Sequence, residues 1–280
     1  MTSVQTYQRP STIEDAWRLL AEKGKSAKLV GGGVDVALFI PPEITTLIDL
    51  SLLPHRSIQM RDGNLVLGAG ATLTEILESP IVSDYLDGII VQVMRQVASP
   101  LLRNVATIGG SIASAHPWSD IIPLLLALDA QVTAYAGQST TTSLEDLMTR
   151  RGTIDRAIIT QIILPEPAAG TAVSFEQFVR AAIDVSMLNC ACRAVVADGT
   201  CRDVRIVFGG MPGMAQRIAA VEEALTGKRL DPAVIASVAE VSGKAIPARD
   251  DVRASADYRR VLASAGIRRC LHRIMKRAGE

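Results

Sequence analysis

The 280-residue sequence predicts an α+β chain of three modules: a small lobe over residues 1–55, a second lobe over 56–168 and a C-terminal domain over 169–280. Three observations predict it. A segment of helical period is followed by a short apolar strand that runs into three consecutive glycines. The stretch EPAAG at 166–170 breaks the strand pattern and marks a boundary. Beyond it, three strand-like segments precede two capped helical segments.

In the first lobe, STIEDAWRLLAEKG offers Ser11 as an N-cap, Glu14 as its capping-box partner and Gly24 as a stop. AKLV then reads as a strand, VDVALFI opens a helix, and TTLIDLS supplies another strand around Ile48. The second lobe begins near Ser57. There GNLVLGAG reads as a strand, Thr72 or Thr74 caps a helix at EILES, and a further helix runs from about Asp84 to Val97. SDIIPLLLALDA is apolar on nearly every face, which predicts a buried helix capped by Ser119. QVTAYA and AIITQIIL are strands, the second closed by Pro165 and Pro167. In the C-terminal domain, VSFEQFV, DVSMLNCACRAVVA and CRDVRIVFGG read as strands, with Asp198-Gly199 as a hairpin turn between the last two. MAQRIAAVEEALTG is a helix ended by Gly227. DPAVIASVAEVSG is a second, with Asp231 as cap, Pro232 at its first position and Gly243 as stop, and a final helix starts at Ser255.

Twenty-nine Lys and Arg balance 29 Asp and Glu, so no overall field attracts nucleic acid or an anionic membrane. The basic stretch RRCLHRIMKR alternates apolar and cationic positions as a solvated helix face does. The N-terminal residues carry no leader pattern, and no apolar run reaches the ~18 residues of a span, so the chain reads as cytoplasmic without membrane insertion. Four cysteines without a C-x-x-C pair and three histidines argue against zinc or an iron–sulfur cluster in this chain. Buried, unpaired thiols in a reducing compartment are expected, with Cys190 and Cys192 on one face of an alternating segment.

The chemistry sits in two glycine clusters. In VGGGVD, a turn from strand to helix exposes successive N–H groups suited to a phosphate, and the missing Cβ atoms let a ligand approach. Taken alone, GGG reads as a tight turn. It is neither G-x-G-x-x-G, since Val36 stands at the third required position, nor a P-loop, since no lysine follows. The second cluster, NVATIGGSIASAHPWSD, again offers small residues, hydroxyls and amides at Thr107, Gly109, Gly110, Ser111 and Ser114. Two such loops from two small lobes suit one long diphosphate ligand, of which a dinucleotide is the natural candidate.

These residues carry a resemblance. KLVGGGVDV resembles the pattern A-G-G-T-D-L, and RNVATIGGSIASAHPWSDIIPLLLALDA is similar to R-N-x-G-T-I-G-G-N-L-A-x-A-x-P-x-x-D-x-x-P-x-L-L-A-L-D-A. FEQFVRAAIDVSMLNCACRAV resembles F-x-K-x-x-R-x-x-D-x-A-x-V-N-x-A, and RIVFGGM and DVRASADYRRVLASAGIRRCL extend the likeness over the whole chain. All belong to the FAD-binding subunit or domain of the molybdenum hydroxylases. The resemblance implies a two-lobed vanillyl-alcohol oxidase-type FAD-binding domain, then a C-terminal domain with a three-stranded antiparallel sheet and helices, with FAD bound noncovalently.

By the same resemblance, the amides of Gly31, Gly32, Gly33, Val34 and Asp35 contact the pyrophosphate, and those of Thr107, Gly109 and Gly110 complete the site. Asp120 reaches a ribityl or ribose hydroxyl, and Arg180 and Asp184 lie near the flavin side. Val30, Ile108, Ser111, Ser114 and Leu164 join the cofactor-binding set, with no catalytic acid or base and no metal ligand in the chain. The implied role is electron transfer from [2Fe-2S] clusters on a small partner subunit to an external acceptor. A large subunit carries the molybdenum-pterin, in a dimer of heterotrimers.

The sequence also departs from the pattern. Val34 stands for threonine, Ala106 for glycine, Ser111 for asparagine and His116 for an acid; Glu176 or Gln177 stands near the expected lysine, and LMTRRGTIDRA degrades the loop F-x-G-x-x-x-T. Each lost polar contact costs on the order of 1 kcal/mol of affinity. Two alternatives therefore stand beside the main reading: a flavin-free structural subunit of the same complex, and a stand-alone flavin oxidase. His116, ahead of a proline, reads as solvent-facing or hydrogen-bonded, and Trp118 either stacks on the cofactor or packs.

Overall fold

The computed structural model describes residues 4–149 and 156–278. Its two compact units do not follow chain order. One comprises the described residues of Met1–Val82, Ala98–Ser114 and Ala130–Leu164; the other, those of Ser83–Val97, Ala115–Asp129 and Pro165–Glu280.

In the first unit, β1 (Thr6–Gln8), β2 (Ala27–Val30) and β3 (Thr46–Asp49) form a parallel sheet in the order β1-β3-β2. The helix Ile13–Lys23 begins one residue later than the capping pattern predicts: Thr12, not Ser11, is the N-cap, and its Oγ1 accepts from the Asp15 amide at 3.2 Å. The apolar register decides this, because starting at Ile13 sets Ala16 and Leu20 against Ile48, Leu50 and Leu53. Gly24, at φ 54°, ends the helix as expected. β1 has no apolar alternation, since all three of its residues are exposed, and it escapes a sequence reading.

A second sheet in this unit contains β4 (Ile58–Arg61), β5 (Asn64–Gly68), β6 (Gln131–Tyr135), β7 (Ser139–Ser143) and β8 (Ile158–Leu164), antiparallel throughout in the order β4-β5-β8-β6-β7. Of the outermost strands, STTTS is polar as sheet edges commonly are and IQMR is short and mostly exposed, and neither is among the predicted strands. Of the two threonines proposed as cap for the next helix, Thr72 is the one used. It forms a full capping box with Glu75 at the start of Leu73–Glu78.

The second unit holds the sheet β9 (Thr171–Phe178), β10 (Leu188–Ala197), β11 (Thr200–Gly209) and β12 (Gln216–Arg217), antiparallel in the order β12-β11-β10-β9. The three predicted strands are present, and a two-residue fourth is added at the edge. Asp198 (φ 52°) and Gly199 (φ 74°) make the hairpin turn, both left-handed as the twist of flanking strands favours. The predicted buried helix is Ile121–Ala127, with all seven residues buried, and it packs on β10 and β11. Ser119 Oγ accepts from the Ile122 amide at 3.2 Å.

Three helices differ from expectation here. MAQRIAAVEEALTG is helical only over Ala219–Leu225, because Gln216–Arg217 pair with β11 instead. The helix predicted from Asp84 to Val97 is interrupted by left-handed backbone at Leu86, Asp87 and Gly88 (φ 47°, 55° and 69°), leaving Ile89–Met94 as its regular part. Pro232–Ala245, capped by Asp231 as expected, runs through Gly243 instead of stopping there. A Cβ at Gly243 would lie 2.5 Å from Ser264 Oγ and 3.1 Å from the Arg260 carbonyl oxygen, both on the last helix, Ala256–Ala278. This glycine lets two helices approach, a role that local sequence does not distinguish from a stop.

The last helix carries two buried features. Arg259, with no exposure, donates to the carbonyls of Met187 (2.9 Å), Arg249 (2.6 Å) and Ala254 (2.8 Å) and to Asp251 Oδ1 (2.8 Å). Cys270 enters the core beside Cys190 and Cys192, and all four cysteines are free and buried. Burial pushes the Cys190 thiol up, whereas hydrogen bonds with Cys190 and Cys192 hold Cys270 below its usual range.

Candidate cofactor site

Both glycine clusters fall in the first unit, and the fold brings them together. β2 ends at Val30, and Gly33, left-handed at φ 74°, turns the chain into the short helix Val34–Leu38. The second cluster forms the helix Ile108–Ser114, held to the Thr72 region by the Leu73 amide donating to the Ala106 carbonyl at 2.9 Å. A Cβ on Gly32 would overlap the Val105 carbonyl oxygen, and one on Gly31 would come within 2.6 Å of Thr107 Oγ1. The close approach that forbids side chains at Gly31 and Gly32 is therefore made by the second loop itself. Asp35 and Ser114 clasp the arrangement, with Ser114 Oγ donating to Asp35 Oδ2.

The amides of the two loops differ. Those of Gly31, Gly32, Gly33 and Val34 have no acceptor among the described residues. Four consecutive free donors on a glycine turn make a nest that fits a pyrophosphate. A five-residue helix behind them adds little dipole, so the amides themselves carry the fit. In the second loop, by contrast, the Ile108 amide donates to Ala71 O at 3.0 Å, that of Gly109 to Ala69 O at 2.9 Å, and that of Gly110 to Thr107 Oγ1 at 3.1 Å. The expectation that Gly109 and Gly110 donate to the phosphates meets amides already in use. Their lack of side chains has a reason inside the fold, since a Cβ on Gly109 would stand 2.7 Å from that of Ala69. The hydroxyl of Ser111 is likewise turned inward, donating to Thr107 O at 3.0 Å. Leu164, buried at the end of β8, pairs with Leu65.

The remaining predicted residues belong to the second unit. Asp120 is buried at the start of its helix, and its Oδ1 accepts from Ser186 Oγ at 2.6 Å and Asn189 Nδ2 at 2.7 Å. Burial raises its carboxyl to about 6, and these two hydrogen bonds only partly oppose the shift. Sequence reasoning assigned no role to Ser186 or Asn189, although Asn189 occupies the asparagine of the V-N-x-A pattern. Arg180 and Asp184 form an exposed i,i+4 pair at 3.0 Å, and the hydrogen bond from Arg180 lowers the Asp184 carboxyl. Trp118 is partly exposed. His116 stacks on it at 4.7 Å, nearly coplanar, and the Arg253 guanidinium lies 5.0 Å from its ring centroid. Most of the degraded loop LMTRRGTIDRA lies outside the described residues.

Two family models match the chain, the FAD binding domain in molybdopterin dehydrogenase over residues 2–167 and the CO dehydrogenase flavoprotein C-terminal domain over 173–274. The chain belongs to this family, the FAD-binding medium subunits of molybdenum-dependent dehydrogenases, which are oxidoreductases. It is 29% identical over 273 residues to the nicotine 6-hydroxylase medium subunit of Paenarthrobacter nicotinovorans, covering 95% of each chain. To the carbon monoxide dehydrogenase medium chain of Hydrogenophaga pseudoflava it is 27% identical over 276 residues, again 95% of each. The solved carbon monoxide dehydrogenase of that organism superimposes with a TM-score of 0.89 at 27% identity, over 97% of both chains. Among the described residues, no helix is long and apolar enough to cross a membrane.

Proposed function

We propose that this chain is the electron-transfer subunit of a heterotrimeric molybdenum hydroxylase. It takes electrons from [2Fe-2S] clusters on a small subunit and passes them to an external acceptor, while a large subunit carries the molybdenum-pterin. The observation that carries the reading is the row of free amides from Gly31 to Val34, held against the Val105–Thr107 loop. Bound FAD supplies redox chemistry in steps of one or two electrons, which suits a link between clusters and a final acceptor. The chain's own residues bind and orient. The four amides donate to the pyrophosphate, and the Asp35–Ser114 hydrogen bond keeps the two loops in register. Asp120 keeps Oδ1 for Ser186 and Asn189, and offers its other oxygen to a ribityl or ribose hydroxyl. Arg180 and Asp184 lie on the flavin side by resemblance. No proton transfer is required of any side chain in this reading.

The engaged amides of Gly109 and Gly110, together with valine at position 34, favour a second reading in which the subunit holds the complex together without flavin. Co-expression with its two partner subunits separates the two. Near one FAD per copy, with a flavin band bleached by the substrate of the complex, supports electron transfer. An active complex without flavin overturns it. The same preparation, sized by light scattering, tests assembly as a dimer of heterotrimers.

A further inference from the structure

We propose that Cys190, Cys192 and Cys270 form a three-thiol binding site for a trivalent thiophilic ion of the arsenite class. Cys190 and Cys192 are two residues apart on β10 and share one face, onto which the last helix delivers Cys270. The three sulfurs all lie within 4.8 Å of one another, with Cys190 and Cys192 at 3.7 Å. Cys201 is outside the group. The sequence gives no hint of the site, because Cys270 is far from the other two in the chain and no metal-binding spacing links them.

Size, coordination number and charge select the ligand. With ion–sulfur bonds of about 2.3 Å, a pyramidal three-coordinate centre places its sulfurs roughly 3.5 Å apart. The observed triangle meets that span with small side-chain adjustments. No histidine or carboxylate joins the group among the described residues. The surrounding core is largely apolar, with Phe208, Ile267 and Leu271, and the polar groups nearest Cys270 are the Ser174 hydroxyl, hydrogen-bonded to its thiol, and the Arg273 guanidinium. Tetrahedral zinc and iron–sulfur clusters are thereby disfavoured. A net charge in such a core is costly. Three thiolates leave a double negative charge around a monovalent ion and a single one around a divalent ion, but none around a trivalent centre. The exchange balances without redox: As(OH)3 and three thiols give As(SR)3 and three waters, each S–H proton leaving on a released hydroxide. The product ties β10 to the last helix.

The test uses the full-length chain and arsenite. Incubation lasts longer than the β10 amides take to exchange, so that transient opening gives access to the core. After removal of free arsenite, one arsenic per chain is expected, with a mass gain of one arsenic less three hydrogens. Only Cys201 should then alkylate in denaturant, arsenic absorption spectroscopy should count three sulfurs, and Tm should rise. Cys201→Ser should bind as the parent does, and Cys192→Ser should lose at least tenfold in affinity. Failure to retain arsenic, a count of two sulfurs with an oxygen, or equal binding by Cys192→Ser overturns the proposal. Should Cys192→Ser not fold, the sulfur count of the parent chain decides alone.

Discussion

Replacing Asp120 by asparagine separates the cost of its buried charge from the value of its hydrogen bonds. Burial lifts the carboxyl from 3.8 to about 6. A rise of about two units corresponds to roughly 3 kcal/mol at 1.36 kcal/mol per unit. The folded protein holds this proton more tightly than the unfolded chain does. Its stabilising contribution is therefore fully present below pH 4 and lost as pH rises through 6. Asparagine keeps an oxygen for Ser186 and Asn189 and carries no charge. Asp120→Asn is expected to match the parent at pH 4 and to exceed it by up to about 3 kcal/mol at pH 8. Urea unfolding followed at Trp118, in a Trp17→Phe background, reports on the unit that contains the residue. Other titrating groups cancel in the difference between variant and parent. If both proteins change by the same amount between pH 4 and pH 8, the buried-charge argument is wrong. FAD retention is a separate readout: should the second oxygen hold a cofactor hydroxyl, the variant retains FAD roughly tenfold less tightly while gaining stability.

Gly32→Ala drives a Cβ into the Val105 carbonyl oxygen and must part the two loops. At least a tenfold loss of FAD affinity with an unchanged far-UV spectrum is expected, and undiminished retention would count against the nest. Val34→Thr restores the hydroxyl of the family pattern, and a gain of about 1 kcal/mol, or several-fold in FAD affinity, should appear in equilibrium dialysis. Arg259→Met removes the side-chain donor to the Met187 and Arg249 carbonyls, while Ala254 O and Asp251 keep backbone donors, so denaturant unfolding should show a loss of about 2–4 kcal/mol. Arg259→Lys should recover only part of this, since an ammonium does not reproduce the planar fork.

The parts of the fold legible in the sequence are those where local chemistry and burial agree. AKLV coincides with β2, Asp231-Pro232 opens its helix, and Asp198-Gly199 makes its turn, because each depends on residues close in the chain. Strands with no buried face leave no periodicity, hence the silence of β1 and β7, while β4 alternates over only four residues, too few to stand out. Gly243 misleads because its neighbour is a helix more than ten residues further on. At the site, the glycine clusters were visible as clusters, but not that Gly31 and Gly32 yield to Val105 and Thr107, nor that the Gly109 and Gly110 amides are spent within the fold. Such facts belong to pairs of residues distant in sequence, as does the meeting of Cys270 with Cys190.

The helix Ile121–Ala127 lies inside the stretch matched as the FAD-binding domain, yet it is buried against β10 and β11, which lie beyond that stretch. The second unit is thus assembled from stretches on both sides of the boundary near residue 168. A gene cut there would leave a fragment displaying a seven-residue greasy helix with no partner, and a second fragment with a sheet stripped of its cover. A division that kept this sheet covered would have to carry residues 115–129 along with the C-terminal stretch.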